Sequence, residues 1–419
     1  MTTVEQCNQK QQLEITFANF EEMKSYLSDD KNIKSEKKIG LVFKSVDVDN
    51  FSLIQRFFQC HYSEIIDFLY IHECSNTFTE KDCENIAEYL KKMNNLLSLQ
   101  LFLRLNKINS GIVFISKILP CLQRLQKVSF RMQSNGIDNE GLKTISEGLS
   151  QLPNLQEIEL MLLGNEITDI GSLKCLNNLK NMKKFHFQIT KNNVTLEQII
   201  ELVDYLQCCE SLRSLTLDIQ QLQFSSEESM KILMNKICDM AQLESLSLDL
   251  ENSKINPELV EMFTQRISKM KKIKKIQLNF KNNQLRDIGC QNIKRMLLQM
   301  PQLTSLGLVL DINQVTTTGI EDLIEGISSL KYINQLNFSI MANHSDKINS
   351  IYSKILSNTQ YLSQVQIHAS GRFKQISEEF AKYYQQIYVM LLQMSVFINN
   401  FNEYQVYNPC FIMQDLFYD

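Results

Sequence analysis

The chain has 419 residues, 44% of them hydrophobic and 21% charged, a mix that excludes wholesale disorder. Forty-three basic against 47 acidic side chains leave a formal charge of −4, without the basic surplus that a dedicated nucleic-acid binder carries. Twelve glycines and five prolines leave little room for flexible linkers or phosphate-cradling loops. From the N-terminus, Met1-Thr-Thr-Val-Glu-Gln-Cys7 lacks the layout of a secretory signal. No stretch approaches the roughly 20 apolar residues that a membrane-spanning helix needs. Residues 1–35 are expected to cap the fold and to hold a degenerate first repeat, with Leu13-Glu-Ile15-Thr-Phe17 as its strand. A second degenerate strand, Ile39-Gly-Leu41-Val-Phe43, opens a tract of repeats expected over 36–372.

Within that tract one pattern recurs. Apolar residues stand at offsets 0, 3, 5 and 7, asparagine at offset 10 and an aliphatic residue at offset 12, as in Leu303-Thr-Ser-Leu306-Gly-Leu308-Val-Leu310-Asp-Ile-Asn313-Gln-Val315. The pattern starts at Ile66, Leu96, Leu125, Leu155, Met182, Leu212, Leu243, Ile273, Leu303, Ile333 and Leu362, in steps of 27–31 residues. Offsets 3, 5 and 7 alternate, which predicts a strand with one face buried. Later in the unit the spacing becomes helical, as in Leu142, Ile145, Leu149, Leu152 and in Ile320, Leu323, Ile327, Leu330. Gly111, Gly141, Gly171, Gly289 and Gly319 precede these predicted helices. Each unit therefore reads strand, turn, helix, return, and a stack of such units forms one elongated domain.

The asparagines supply a physical reason for the turn. Asn76, Asn106, Asn135, Asn165, Asn192, Asn283, Asn313 and Asn343 all occupy offset 10, where the chain leaves the strand and its backbone groups lose ladder partners. An asparagine side chain accepts and donates, so these eight are expected to form a structural ladder between neighbouring turns. Offset 10 holds Leu222, Ser253 and Arg372 in three units, and the ladder is expected to weaken there, with curvature changing around 212–255.

The element Leu155-Gln-Glu-Ile158-Glu-Leu160-Met-Leu162-Leu-Gly-Asn165-Glu-Ile167 resembles the leucine-rich repeat, and the unit length with a full helix resembles its ribonuclease-inhibitor-like subclass. The spacing between strand and asparagine is two residues longer than in the short consensus. The resemblance implies an α/β solenoid, a horseshoe with a parallel sheet on the concave face and helices on the convex face. One family of this architecture, the Ran GTPase-activating proteins, makes GTPase activation an alternative function. A substrate-receptor subunit of a ubiquitin ligase is disfavoured by the short stretch before residue 36. A structural subunit of a cytoskeletal or other large assembly is a further alternative.

Chemistry is scarce. The five histidines, His61, His72, His186, His344 and His368, lack metal-ligand spacing and are expected as isolated surface groups. Eleven scattered cysteines without a C-x-x-C pair point to reduced, mostly buried thiols. No phosphate loop, dinucleotide fingerprint or nucleophile elbow occurs. The basic run from Arg266 through Lys269, Lys271, Lys272, Lys274 and Lys275 lies at a helix C-terminus, where solvated cations complement the dipole. No enzyme, cofactor, metal or small-molecule substrate is therefore expected.

The concave sheet face remains as the place for function. Asp218, Asp249 and Glu251 fall on adjacent strands and, with Asp311, suggest docking of a basic protein segment. Arg104 and Arg131 lie earlier, and Phe102, Met161, Leu163 and Val309 are read as scattered exposed apolar residues, with Phe102, Met161 and Leu163 forming a small anchor patch as the alternative. The expected function is a non-enzymatic, cytoplasmic scaffold that binds a protein partner, cytoskeletal attachment being left open; nucleic acid and membrane are not expected. Residues 373–419 hold 12 of the 37 aromatics. A helix over Ser377–Asn399 is expected there as a C-terminal cap, with 402–419 as a tail that either caps or docks.

Overall fold

The computed structural model describes the backbone of residues 4–6, 13–17, 39–44, 66–72, 78–220, 226–343 and 362–368, and the side chains of 67–72, 78–220, 226–343 and 362–364. The chain divides into two units, Met1–Ser370 and Gly371–Asp419. The expected C-terminal cap and tail, Asn76, Leu222, Arg372, His61, His344 and the side chain of His368 lie outside the described residues.

Among the described residues, alternating leucines build a single open sheet of fourteen strands in sequence order. They are β1 (Val4–Gln6), β2 (Leu13–Phe17), β3 (Ile39–Lys44), β4 (Ile66–His72), β5 (Ser98–Phe102), β6 (Lys127–Arg131) and β7 (Glu157–Met161). The series continues with β8 (Lys184–Gln188), β9 (Ser214–Asp218), β10 (Ser245–Asp249), β11 (Lys275–Asn279), β12 (Ser305–Val309), β13 (Gln335–Ser339) and β14 (Gln364–His368). From β2 onward every neighbouring pair is parallel, and from β4 onward each strand meets the next at the same offset of its unit. Strand β1, which the repeat pattern does not foresee, pairs antiparallel with β2. It covers a sheet edge that would otherwise offer unpaired N–H and C=O groups.

Helices return the chain between strands: α1 (Glu80–Leu90), α2 (Ile112–Ile118), α3 (Asn139–Ser150), α4 (Leu196–Gln207), α5 (Glu227–Cys238), α6 (Pro257–Ile267), α7 (Arg286–Leu298) and α8 (Thr317–Ser328). Side-chain oxygens start several of them, satisfying N–H groups that the first turn leaves unpaired. Asp138 accepts from the Gly141 N–H at 2.9 Å and Asn256 from the Leu259 N–H at 2.9 Å. The expected apolar stripes face inward, Leu142, Ile145 and Leu149 in α3 and Ile320, Leu323 and Ile327 in α8. Offsets 3, 5 and 7 of the strands meet these stripes in one continuous core, for example Leu99, Leu101 and Leu103, each fully buried.

The unit that starts at Leu155 departs from the others. In place of an α-helix it carries a 3-10 run of eight residues, Gly171–Asn178. This is the 27-residue unit. At roughly 2.0 Å per residue a 3-10 run of that length spans about 16 Å. At roughly 1.5 Å per residue the 11 residues of α1 span about the same length. Tighter winding lets a shorter repeat keep step with the stack.

Seven of the ladder asparagines are described, and each reaches back into the preceding turn. The Asn165 Oδ1 accepts from the backbone N–H groups of Asn135 and Ile137, both at 3.0 Å, while its Nδ2 donates to the carbonyls of Met132 and Leu162, both at 2.9 Å. Asn283 repeats this with the N–H groups of Ser253 and Ile255 and the carbonyls of Leu250 and Phe280. Asn343 accepts from Asn313 and Val315 and donates to Leu310. Asn313 and Asn192 donate to Phe280 and Leu162 respectively. Asn135 donates to Leu103, and Asn106 accepts from the Phe78 N–H. Ser253 keeps a rung from Asn283, but its own hydroxyl donates only to the Glu251 carbonyl of its own turn.

The turn has a conformational cost that sequence spacing does not show. The residue at offset 9, just before the inward side chain, is left-handed in every described unit from Leu96 to Ile333: Leu105, Ser134, Gly164, Lys191, Asn252, Asn282, Ile312 and Ala342 have φ between 54° and 67°. Glycine occupies this position once. A β-branched side chain suits it least. Ile312 has φ of 55° and is 46% exposed, so little packing compensates the strain. Ile312→Gly is expected to stabilise the protein by about 1 kcal/mol, seen as a higher urea midpoint. Asn282→Gly, which starts from a residue tolerant of that region, should shift the midpoint less.

Candidate functional site

Among the described residues, helices cover one face of the sheet, and the opposite face presents offsets 2, 4 and 6 of strands β4 to β13. The row at offset 6 runs His72, Phe102, Arg131, Met161, Gln188, Asp218, Asp249, Asn279, Val309 and Ser339, in direct register from strand to strand. At its start stands an aromatic and cationic cluster. The rings of Tyr70 and Phe102 meet edge to face at 4.8 Å, with His72 at 6.2 Å from Phe102. The Arg131 guanidinium lies over the Phe102 ring at 4.1 Å from its centre. Tyr70, His72, Phe102 and Arg131 are half-buried.

Arg131 continues into a chain of polar contacts. Its Nη2 lies 3.1 Å from Glu159 Oε1, and His186 Nδ1 lies 3.2 Å from the same oxygen. Ser129 adds a hydroxyl donor. Burial alone would raise the Glu159 carboxyl, yet the His186 hydrogen bond and the Arg131 charge outweigh it and hold the group at about 2. A carboxyl held below its unfolded value of 4.5 binds fewer protons in the folded state. Its stabilising contribution is complete above that value and is lost as pH falls through about 2. The stability difference between the wild type and Glu159→Gln is therefore expected to be about 2–3 kcal/mol at pH 6 and to shrink steadily toward pH 2.5. Urea unfolding at stepped pH measures it.

The acidic residues are placed differently from the sequence expectation. Asp218 is 5% exposed, and Asp249 is 3% exposed. The Gln188 Nε2 donates to Asp218 Oδ2 at 2.6 Å, and the Thr190 hydroxyl donates to Oδ1 at 2.9 Å. Asn279 Nδ2 and Gln220 Nε2 both donate to Asp249 Oδ2 at 2.9 Å, and the Glu251 N–H donates to Oδ1 at 3.0 Å. Asp311, 5% exposed, takes the Ser339 hydroxyl at 2.7 Å and the Met341 N–H at 2.6 Å. These three carboxylates tie neighbouring strands and turns together and are not available to a basic segment. Glu251 is half-buried and pairs with Lys281 at 3.2 Å. Burial is also the dominant influence on the protonation of Asp218 and Asp249. It raises both carboxyls, and with the added repulsion of Asp218 it carries Asp249 to about 8.

Met161 is corrected in the same way. It is 3% exposed, so it cannot anchor a partner together with Phe102, and only Leu163 of that expected pair is half-buried. Arg104 is half-buried, past the end of β5. His186 is bonded to Glu159 and so is not the isolated surface histidine that the spacing suggests. Glu159 and His186 share offset 4 on adjacent strands, a signal that applying opposite-charge pairing across strands would have read. The basic run behaves as expected of solvated cations: Lys269, Lys271, Lys272, Lys274 and Lys275 are exposed, and Arg266 pairs with Asp239.

Other chemistry is sparse among the described residues. No group of three or more histidine, cysteine or acidic side chains could hold a metal ion, and no helix is long and apolar enough to cross a membrane. Cys83, Cys209, Cys238 and Cys290 are buried free thiols, and Cys121 and Cys208 are exposed. Burial pushes Cys209 up to about 11 and Cys238 to about 12, which keeps them protonated and unreactive. A cavity of about 350 Å³ lies among the left-handed turns, lined by Lys254, Asn282, Gln284, Ile312, Gln314 and Ala342 among others.

No family model matches the chain, and no curated protein matches it. Among solved structures, leiomodin-1 actin-binding site 2 (ABS2) is similar at 17% identity and a TM-score of 0.28, covering 40% of this chain and 98% of that one. A likeness at that score carries no inference about binding.

Proposed function

We propose that the chain is a non-enzymatic, cytoplasmic scaffold that binds a protein partner on the open face of the sheet, and that its repeats are leucine-rich repeats of the ribonuclease-inhibitor-like kind. The subclass reading is supported by the 27–31-residue unit of strand, turn and helix and by the asparagine at the turn. One observation carries the binding reading: the half-buried cluster of Tyr70, His72, Phe102 and Arg131 on a sheet face that none of the described helices covers. Aromatic and arginine side chains are enriched at interface centres, where they bury large area in desolvated pockets. The cluster replaces the acidic surface as the centre of docking, since the aspartates are engaged within the fold. Arg104 stands just past the end of β5, the strand that carries Phe102.

The test is proximity labelling and co-purification from the native cell with the full chain, the Phe102→Ala variant and the Tyr332→Ala variant. Tyr332 is 60% exposed and lies in the loop after α8, off the strands. A partner lost with Phe102→Ala and kept with Tyr332→Ala supports the reading. A partner kept by both variants sinks it. GTP hydrolysis by small GTPases is expected to be unchanged by the chain, and acceleration would favour the GTPase-activating alternative.

A further inference from the structure

The two aspartates at offset 6 face one another directly, with Asp218 of β9 opposite Asp249 of β10. Neighbouring strands lie about 4.8 Å apart, so two buried carboxylates stand side by side. Three features of the backbone coincide there. From β5 to β13, the offset-7 N–H donates to the offset-6 carbonyl of the next strand at 2.8–2.9 Å, as in Leu103 to Arg131, Met132 to Met161, Leu250 to Asn279 and Leu310 to Ser339. Where the acceptor is Asp218 or Asp249, the bonds from Ile189 and Ile219 lengthen to 3.2 Å. The next rung, from the offset-9 N–H to the offset-8 carbonyl, holds at 2.9 Å from Gly164 to Thr190 and from Asn252 to Lys281. No such bond joins Lys191 to Gln220 among the described residues. The asparagine ladder also lapses in the same two repeats, with Leu222 and Ser253 at offset 10.

Of the charges around the pair, His186 acts to lower the Asp218 carboxyl, and burial outweighs it. His186 of β8 is engaged by Glu159 of β7, which Arg131 of β6 also holds. Glu251, after β10, is engaged by Lys281, after β11. The remaining contacts come from the neutral donors Gln188, Thr190, Gln220 and Asn279.

We propose that the repeats carrying β9 and β10 form a proton-linked joint: one of the facing carboxyls of Asp218 and Asp249 is protonated in the closed stack, and loss of that proton to solvent base sets two buried negative charges against each other and loosens the sheet at that point. A carboxyl whose folded value is raised binds more protons folded than unfolded, so its contribution is complete below the unfolded value of 3.8 and is lost as pH rises through about 8. The window is therefore neutral to mildly alkaline pH, opposite in direction to that of Glu159.

Hydrogen–deuterium exchange on the full chain at pH 6 and pH 9, normalised for the intrinsic rate, tests the joint. Protection of the Ile189 and Ile219 amides should fall by about tenfold or more at pH 9, one pKa unit being a factor of ten. The Leu250 and Phe280 amides should keep theirs. Asp249→Asn should abolish the pH-dependent loss, and Asp218→Asn gives the same test through the other carboxylate. Loss spread evenly over all repeats, or persisting in both variants, would overturn the proposal.

Discussion

Asn165→Ala is expected to lower the stability of the chain by more than about 3 kcal/mol, because it strands buried backbone groups, each costing about 1–3 kcal/mol when left unpaired. The side chain serves the N–H groups of Asn135 and Ile137 and the carbonyls of Met132 and Leu162. It is 8% exposed, so water has poor access to replace it. Asn154→Ala is the matched control. That asparagine is exposed and donates to the Gln123 carbonyl at 2.9 Å, and its loss should cost well under 1 kcal/mol. Urea unfolding of both variants separates them. Equal midpoints would mean that the ladder contributes nothing beyond ordinary surface polarity.

Phe187→Ala is expected to cost about 3–5 kcal/mol, the range for removing a fully buried phenylalanine and leaving a cavity. The ring is fully buried and stacks on Phe185 with centres 6.0 Å apart. It belongs to β8, in the repeat that follows the 3-10 return, and its strand pairs only with β7 and β9. In a stack whose units touch only their neighbours, such a loss is felt locally. Unfolding of this variant should lose coincidence between probes, with repeats near β8 melting before those near β12. A single transition, merely shifted, would indicate one cooperative core.

Much of this was legible from periodicity. Offsets 3, 5 and 7 face the helices in each unit from Leu96 to Leu303, and even the degenerate strands at 13–17 and 39–43 lie where alternation puts them. The inward asparagines were legible for the same reason, since a turn into the interior needs a side chain that both donates and accepts. Three things were not. Alternation tells which face a side chain takes but not how deep its neighbours bury it, and Asp218 and Asp249 look exposed until Gln188 and Asn279 are set beside them across the strands. The 3-10 return at Gly171–Asn178 carries the same apolar stripe as a helix, so only the shortened unit hints at it. The left-handed residue at offset 9 left little compositional trace, because in the described units glycine fills it only at Gly164. The site was less legible than the fold because it depends on pairs of side chains about 30 residues apart, whose chemistry emerges only once the register is fixed.

Hydrogen–deuterium exchange across the whole chain of Asn165→Ala tests most directly that each repeat is held by the next. The account predicts lost protection at the amides of Asn135 and Ile137 and in the adjoining strands β6 to β8, with β11 to β13 protected as in the wild type. Protection lost uniformly as far as Gln335–Ser339 would contradict it.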